Sequence, residues 1–311
     1  MPSSASPLRQ TKRLFRLPPD QLEAARSWFE HGERTPRKPR YASSVVLIRD
    51  SPEGTQTYLG YRSGSSPLGA IAFPGGSIDD EADFEPVPWY GPSAAKWAQL
   101  MGLDDHQHAR ALVMAAIREL FEESGILLAG QDESSLVEGG DSEEWMRARL
   151  AVAEQEKSFP QLLDRWGLGL RTDLLKPLSR WLSPDFAHRR FDTRYFAAAQ
   201  PVSQQPSLLA GKGVWASWVC AAKVIAERNT SALGDLADQE DTRGLNLSEV
   251  SSPAVETILE KIASARGCIA YLSHKRPLRV YHPELVLVEG EPMLEVETLT
   301  APEGGSLQRG R

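Results

Sequence analysis

The sequence predicts an α/β fold, a mixed sheet covered by helices. Three observations lead there. Strand-like and helix-like stretches are interspersed along the 311 residues, with no internal repeat and no linker that forces a split into two domains. Two β-rich runs, "YASSVVLIRD" and "TQTYLGYRS", flank a turn at Ser51 to Gly54 and read as a hairpin. A long segment, "HQHARALVMAAIRELFEESG", is apolar along one side at helical spacing.

The elements follow in order. Up to Asp20 the chain is rich in Ser, Arg and Lys and holds no acid. It reads as a floppy basic arm, with a faint likeness to a transit peptide. In "DQLEAARSWFEHG", Leu22, Ala25, Trp28 and Phe29 fall at helical spacing and Gly32 is a natural stop. After the hairpin, "GAIAFPGGSIDDEADFEPVPWYGPS" is dense in Gly, Pro and Asp and reads as loop. "SAAKWAQLMG" is a short helix before the long one. Asp141 with Glu144 forms a capping box for "SEEWMRARLAVAEQEKS", and "FPQLLDRWG" is a further helix. "RRFDTRYFAAAQ" and "GVWASWVCA" are strands, and "SSPAVETILEKIASAR" is a late amphipathic helix with Pro253 in its first turn. The expected organisation is an arm and helix over 1–40, a main domain over 41–285, and a C-terminal extension over 286–311 with a disordered tail.

Composition narrows the function. Hydrophobic content of 41% and charged content of 25% suit an ordinary globular protein with a real core. A net charge of -7 argues against general nucleic-acid binding while leaving room for a local basic pocket. No apolar run is long enough to span a bilayer, so no membrane partner is expected. Cys220 and Cys268 fit no metal-ligand spacing and read as reduced thiols, which points to a cytoplasmic protein.

The chemistry concentrates in "AIRELFEESGILL". At about 100° per residue, Glu119, Glu122 and Glu123 gather on one side of the helix. Val113, Ile117, Leu120 and Phe121 face the other way, towards a sheet. A solvated acidic stripe is one reading. Against it, like charges at these spacings repel, and the C-terminal helix dipole disfavours them further. A bound hard cation resolves both objections, since Mg²⁺ takes oxygen ligands. Upstream, Phe73-Pro74-Gly75-Gly76 is a turn whose bare apex lets backbone approach a metal or a phosphate.

Arg118-Glu119-Leu120-Phe121-Glu122-Glu123-Ser124-Gly125-Ile126 resembles the second half of the Nudix hydrolase box, Arg-Glu-U-x-Glu-Glu-x-Gly-U with U aliphatic, and Gly76 resembles its opening Gly. The sixth residue after Gly76, where that box has a Glu, is Ala82, flanked by Glu81 and Asp83. Arg118 also arrives late, as if residues 81–110 were inserted. A lengthened box of this kind resembles the subgroup typified by the mammalian peroxisomal coenzyme A diphosphatase, as do "RWLSPDFAHRRFDTRYFAA" and "VWASW". The resemblance implies a Nudix-like α/β/α sandwich with a mixed central sheet, an insertion within the box and extra helices at about 141–170.

It also implies a metal-dependent hydrolase that cuts a nucleoside diphosphate linked to another moiety, using Mg²⁺ or Mn²⁺. Glu119, Glu122 and Glu123 would ligate metal, with the Gly75 carbonyl as a backbone ligand. Arg118 would orient a box carboxylate. The general base stays open between one of the box carboxylates and an acid outside the box. The Glu that many relatives carry before the Trp-ending strand is absent from Gly211-Lys212-Gly213-Val214, which leaves Asp79, Asp80, Glu81, Asp83, Asp185 and Asp192 as outside candidates for the base or an extra metal ligand. A coenzyme A signature, Arg-x3-Gly-x3-FPGG, is broken at Ser65, with Arg62 as a substitute. Arg62, Gly76, Arg190 and Arg194 are the candidate substrate contacts, the arginines as a phosphate clamp. A solvated strand face explains Arg190 and Arg194 equally well. Trp89, Tyr90, Trp97 and His106 either wall the pocket or form a packing patch. Coenzyme A or its acyl thioesters lead as substrate. ADP-ribose, a dinucleotide or a nucleotide sugar is the alternative, and a non-catalytic nucleotide sensor is the reading from a different class. The strand "RYFAAA" or the late helix would support a homodimer.

Overall fold

The strand Arg40–Ser51 buries seven consecutive residues, Ala42 to Ile48. A strand buried without interruption must be covered on both faces. Its alternate side chains serve two cores. Val46 and Ile48 pack with Val255, Ile258 and Leu259 of the helix Pro253–Ala263, while Val45 and Leu47 pack with Leu112, Val113, Ala116 and Ile117 of the helix His106–Ser124. The result is the expected three-layer α/β/α arrangement. The structure, a computed structural model, describes residues 9–32, 35–64, 68–79, 81–140, 142–209, 213–274 and 276–300.

The central sheet runs in the order Ala216–Cys220, Gly54–Tyr61, Arg40–Ser51, Phe191–Ala199, Lys176–Leu182, Arg279–Tyr281. Arg40–Ser51 is parallel to Phe191–Ala199, and Lys176–Leu182 is parallel to Arg279–Tyr281. The other neighbours are antiparallel, including the predicted hairpin. The segment read as loop contains two short strands, Ile71–Ala72 and Gly75–Ser77, laid on the second and third strands of this order. The long helix begins at Asp105, whose carboxylate accepts from the amides of Gln107 and His108, and it ends at Gly125 with φ 77°.

Four expectations change. Ser142, not Asp141, caps the helix Glu143–Ala153, its hydroxyl accepting from the Trp145 amide; Asp141 lies outside the described residues. The basic arm is not floppy over Arg9–Arg16, which pairs antiparallel with Glu291–Thr300, itself paired with Glu284–Val288. Phe15 is buried there against Leu294 and Val296, and Lys12 meets Glu295 at 2.6 Å. Residues 1–8 and the tail 301–311 lie outside the described residues. The stretch read wholly as loop also holds the short strand Trp89–Tyr90, followed by the expected short helix, Ala94–Met101. Trp97 is a packing residue, edge-to-face on Phe196 at 5.8 Å. Finally, "RYFAAA" lies in the sheet interior and the late helix is buried along most of its length, so neither offers a dimer surface.

Candidate functional site

Glu119, Glu122 and Glu123 occupy the last turns of the helix, while Val113, Ile117, Leu120 and Phe121 are fully buried beneath the sheet-facing side. The glycine turn rises beside them. Val45 N–H and the Ser44 hydroxyl both donate to the Pro74 carbonyl, at 2.8 and 3.0 Å, and lock the turn to the central strand. A Cβ on Gly75 would stand 2.4 Å from the Ser43 carbonyl oxygen, and one on Gly76 would stand 2.3 Å from Glu119 Oε1. Bare Cα atoms therefore let the turn lie flat on the strand and let the Glu119 carboxylate press against it.

Two arginines hold the carboxylates. Arg118 Nη1 donates to Glu119 Oε1 and to Glu122 Oε1, each at 2.9 Å. Its other edge grips Asp83 bidentately, Nε to Oδ1 and Nη2 to Oδ2 at 2.9 Å each, and Nη2 also reaches the Ser77 carbonyl at 3.0 Å. Arg118 thus pairs with two of the three carboxylates, and the acid that fixes its own guanidinium is Asp83. Asp83 is wholly buried. Arg62 Nη2 donates to Glu123 Oε1 and Oε2, at 2.9 and 3.0 Å, and to the Gly75 carbonyl. Its guanidinium therefore sits between two of the oxygens expected to ligate metal. Its Nε is buried without a partner, a donor left for an incoming anion.

A third arginine, Arg149 of the added helix, is fully buried under the helix end. Its Nε donates to the Glu122 carbonyl at 3.0 Å and its other nitrogens bind Ser207. Burial lowers its pKa to about 10, against the raising influence of Tyr58, Glu123 and Glu122. Burial also dominates the carboxylates. It pushes Glu122 up to about 7, helped by the Glu119 charge and opposed by Arg118. It pushes Glu123 up to about 7 against Arg62, and raises Glu119 against Arg118 and Arg62. Among the described residues no three His, Cys, Asp or Glu side chains converge as a ready cation cage. The oxygens are present in the right number and type, but they are turned onto Arg118 and Arg62.

These shifts give a pH prediction. A carboxyl whose folded pKa rises from 4.5 to about 7 makes the folded state bind more protons than the unfolded state between those values. Stability of the metal-free protein should therefore fall as pH rises through that window and flatten above it. A bound cation should reverse the trend, so stabilisation by Mg²⁺ should be small at pH 5 and larger at pH 7.5. Thermal melts with Mg²⁺ or with chelator check this; a Mg²⁺ effect independent of pH would refute it.

Beside Gly76 and Ser77 opens a cavity of about 640 Å³ lined by Arg37, Lys38, Arg40, Arg62, Arg189 and Arg190. Such a concentration of charge in a chain of net -7 makes a funnel for anions. Arg190 is a wall of it, with its guanidinium tied to Asp185 and to the carbonyls of Ser183 and Arg37. Arg194 is not. It is 1% exposed and pairs with Asp192, which Arg180 also grips at 2.8 and 2.7 Å. Neither the clamp nor the solvated face describes Arg194, because the strand that carries it is covered on both sides.

Of the candidate bases, Asp83 and Asp192 are committed to arginines. Asp185 pairs with Arg190, and Asp79 Oδ1 accepts the amides of Glu81 and Ala82. Asp80, Ser65, Gly211 and Lys212 lie outside the described residues. Sequence reasoning missed Arg149 and the pocket cations Arg37, Lys38 and Arg40, while Arg189, read beside Arg190 as part of the same basic strand segment, does line the cavity. The run "RTPRKPR", which leads into the strand Arg40–Ser51, was the available signal for Arg37, Lys38 and Arg40.

The fold matches a NUDIX hydrolase from Alicyclobacillus acidocaldarius at 20% identity and a TM-score of 0.56, over 77% of this chain and 98% of that one. A C. elegans Ap4A hydrolase matches at 15% identity over 64% and 93% of the two chains, with a TM-score of 0.30. The NUDIX domain of Shewanella oneidensis NrtR complexed with ADP ribose matches at 12% over 61% and 78%, with a TM-score of 0.33. The last two superpose too loosely to carry an argument. No family model and no curated protein matches the chain. The mixed sheet between helical layers is thus a Nudix fold.

Proposed function

We propose that the protein hydrolyses the diphosphate linkage of a nucleoside-diphosphate derivative with the help of Mg²⁺ or Mn²⁺. The observation that carries this reading is the crowding of Glu119, Glu122 and Glu123 against a bare glycine turn at the mouth of a basic cavity. Glu119, Glu122, Glu123 and the Gly75 carbonyl would hold the cation, which when bound supplies charge neutralisation for the diphosphate and a template for an attacking water. Arg118, fixed by Asp83, keeps Glu119 and Glu122 in place. Arg62 would leave Glu123 and turn its buried Nε and its charge to a substrate phosphate. Glu122 Oε2, which has no described partner, is the oxygen best placed to take the proton from water.

Coenzyme A or an acyl-CoA is the leading substrate. Its diphosphate would lie over the carboxylates, and its additional phosphate would find Arg37, Lys38 and Arg189 in the same cavity. A panel of diphosphates with mass-spectrometric identification of products tests the assignment. Coenzyme A should yield 3′,5′-ADP and phosphopantetheine. Cleavage of ADP-ribose, a dinucleotide or a nucleotide sugar with coenzyme A untouched would overturn the substrate while keeping the chemistry. Binding of any of these without cleavage would favour a nucleotide sensor.

A further inference from the structure

On the other side of the sheet, a second cavity of about 540 Å³ opens between the end of the helix Pro253–Ala263, the short helix Cys268–Ser273 and the edge strand Arg279–Tyr281. Lys261, Arg276 and Arg279 line it with His274, and among the described residues no Asp or Glu does. Among the described residues none of the four has a carboxylate within ion-pair distance. Neutral partners fix two of them instead. Lys261 Nζ donates to the Tyr281 hydroxyl at 3.0 Å and lies 5.2 Å from its ring centroid. Arg276 Nη2 donates to the Tyr271 carbonyl at 2.8 Å, and its guanidinium covers that ring at 4.0 Å.

Such contacts set where the charges stand without neutralising them. Like charges around a concave, partly apolar wall focus a positive potential that a mobile anion can satisfy. The aromatic faces are already taken: Tyr281 stacks on Trp181 at 4.3 Å, and Tyr271 lies under Arg276. The cavity therefore offers charge and hydrogen-bond donors, Ser264 among its lining, rather than a stacking surface. Its volume suits a small molecule.

We propose that this cavity is a second binding site, for a small polyanion of the diphosphate or polyphosphate class. It faces the core that contains the late helix, whereas the carboxylates belong to the opposite layer. Three strand spacings, roughly 14 Å, separate the edge strand from Arg40–Ser51. The proposal does not depend on the hydrolase reading.

The probe is inorganic pyrophosphate, titrated calorimetrically without divalent metal at low ionic strength. The full-length Arg37→Ala/Arg189→Ala variant serves as background, so that the other basic cavity is weakened. One saturable site is expected. Adding Lys261→Met and Arg279→Ala should weaken it by about tenfold or more, the effect of losing one charge-assisted hydrogen bond. Arg279→Ala alone, at a side chain with no described partner, should weaken it several-fold and guards against a folding artefact in the double change. No saturable heat in the background protein, or an affinity that Arg279→Ala leaves unchanged, overturns the proposal.

Discussion

Glu122→Gln is expected to remove diphosphate hydrolysis, with kcat falling by on the order of 10²–10³ or more, while the fold persists. The side chain keeps its volume, and its Oε1 can still accept from Arg118. What disappears is the negative charge that a cation requires and the basic oxygen that would receive a proton. The change should not weaken the metal-free protein at neutral pH. Burial and the neighbouring Glu119 already make ionised Glu122 unfavourable, so a neutral amide relieves that strain. Steady-state kinetics beside thermal melts decide the matter: undiminished turnover in a well-folded variant would remove Glu122 from the chemistry.

Asp83→Ala should be the most damaging single change to stability, by about 3–5 kcal/mol, the range for stripping one partner from a buried ion pair. Arg118 would lose two of its hydrogen bonds and remain 8% exposed, held only by acids on its own helix and the Ser77 carbonyl. Its new freedom should also loosen Glu119 and Glu122, so apparent Mg²⁺ affinity should drop with it. Urea unfolding and metal titration measure the two effects separately. A loss below about 1 kcal/mol, the level of an exposed pair, would show that the turn carrying Asp83 does not anchor the arginine.

The contrast between these two residues shows how far the sequence could be read. Glu122 was legible because helical periodicity is local: three acids on one side and four apolar residues on the other specify a face and a use. Asp83 was visible only as a neighbour of Ala82, where the box has its Glu, and as one of six outside acids, never as the partner of Arg118. Which acid turns inward is set by the 3-10 turn Ala82–Phe84, which carries Asp83 onto Arg118. Arg149 left no local trace at all, since its partners at Glu122 and Ser207 lie far along the chain. Arg194 was misread for a different reason. Alternating charge normally marks a wet strand face, but here Asp192 is shared between buried Arg194 and half-buried Arg180, and this buried pairing copies that pattern.

The pairing of Arg9–Arg16 with Glu291–Thr300 has a consequence for how the molecule is made. At translation rates of 5–20 residues per second, the partner of the first strand leaves the ribosome roughly 15–60 s after it. During that interval Phe15, buried in the finished protein, lacks the cover of Leu294 and Val296. The later-made strand therefore fastens the earlier-made one, and a nascent chain stopped short of residue 291 would hold Arg9–Arg16 only through contacts such as those of Arg13 with Glu256 and Glu260.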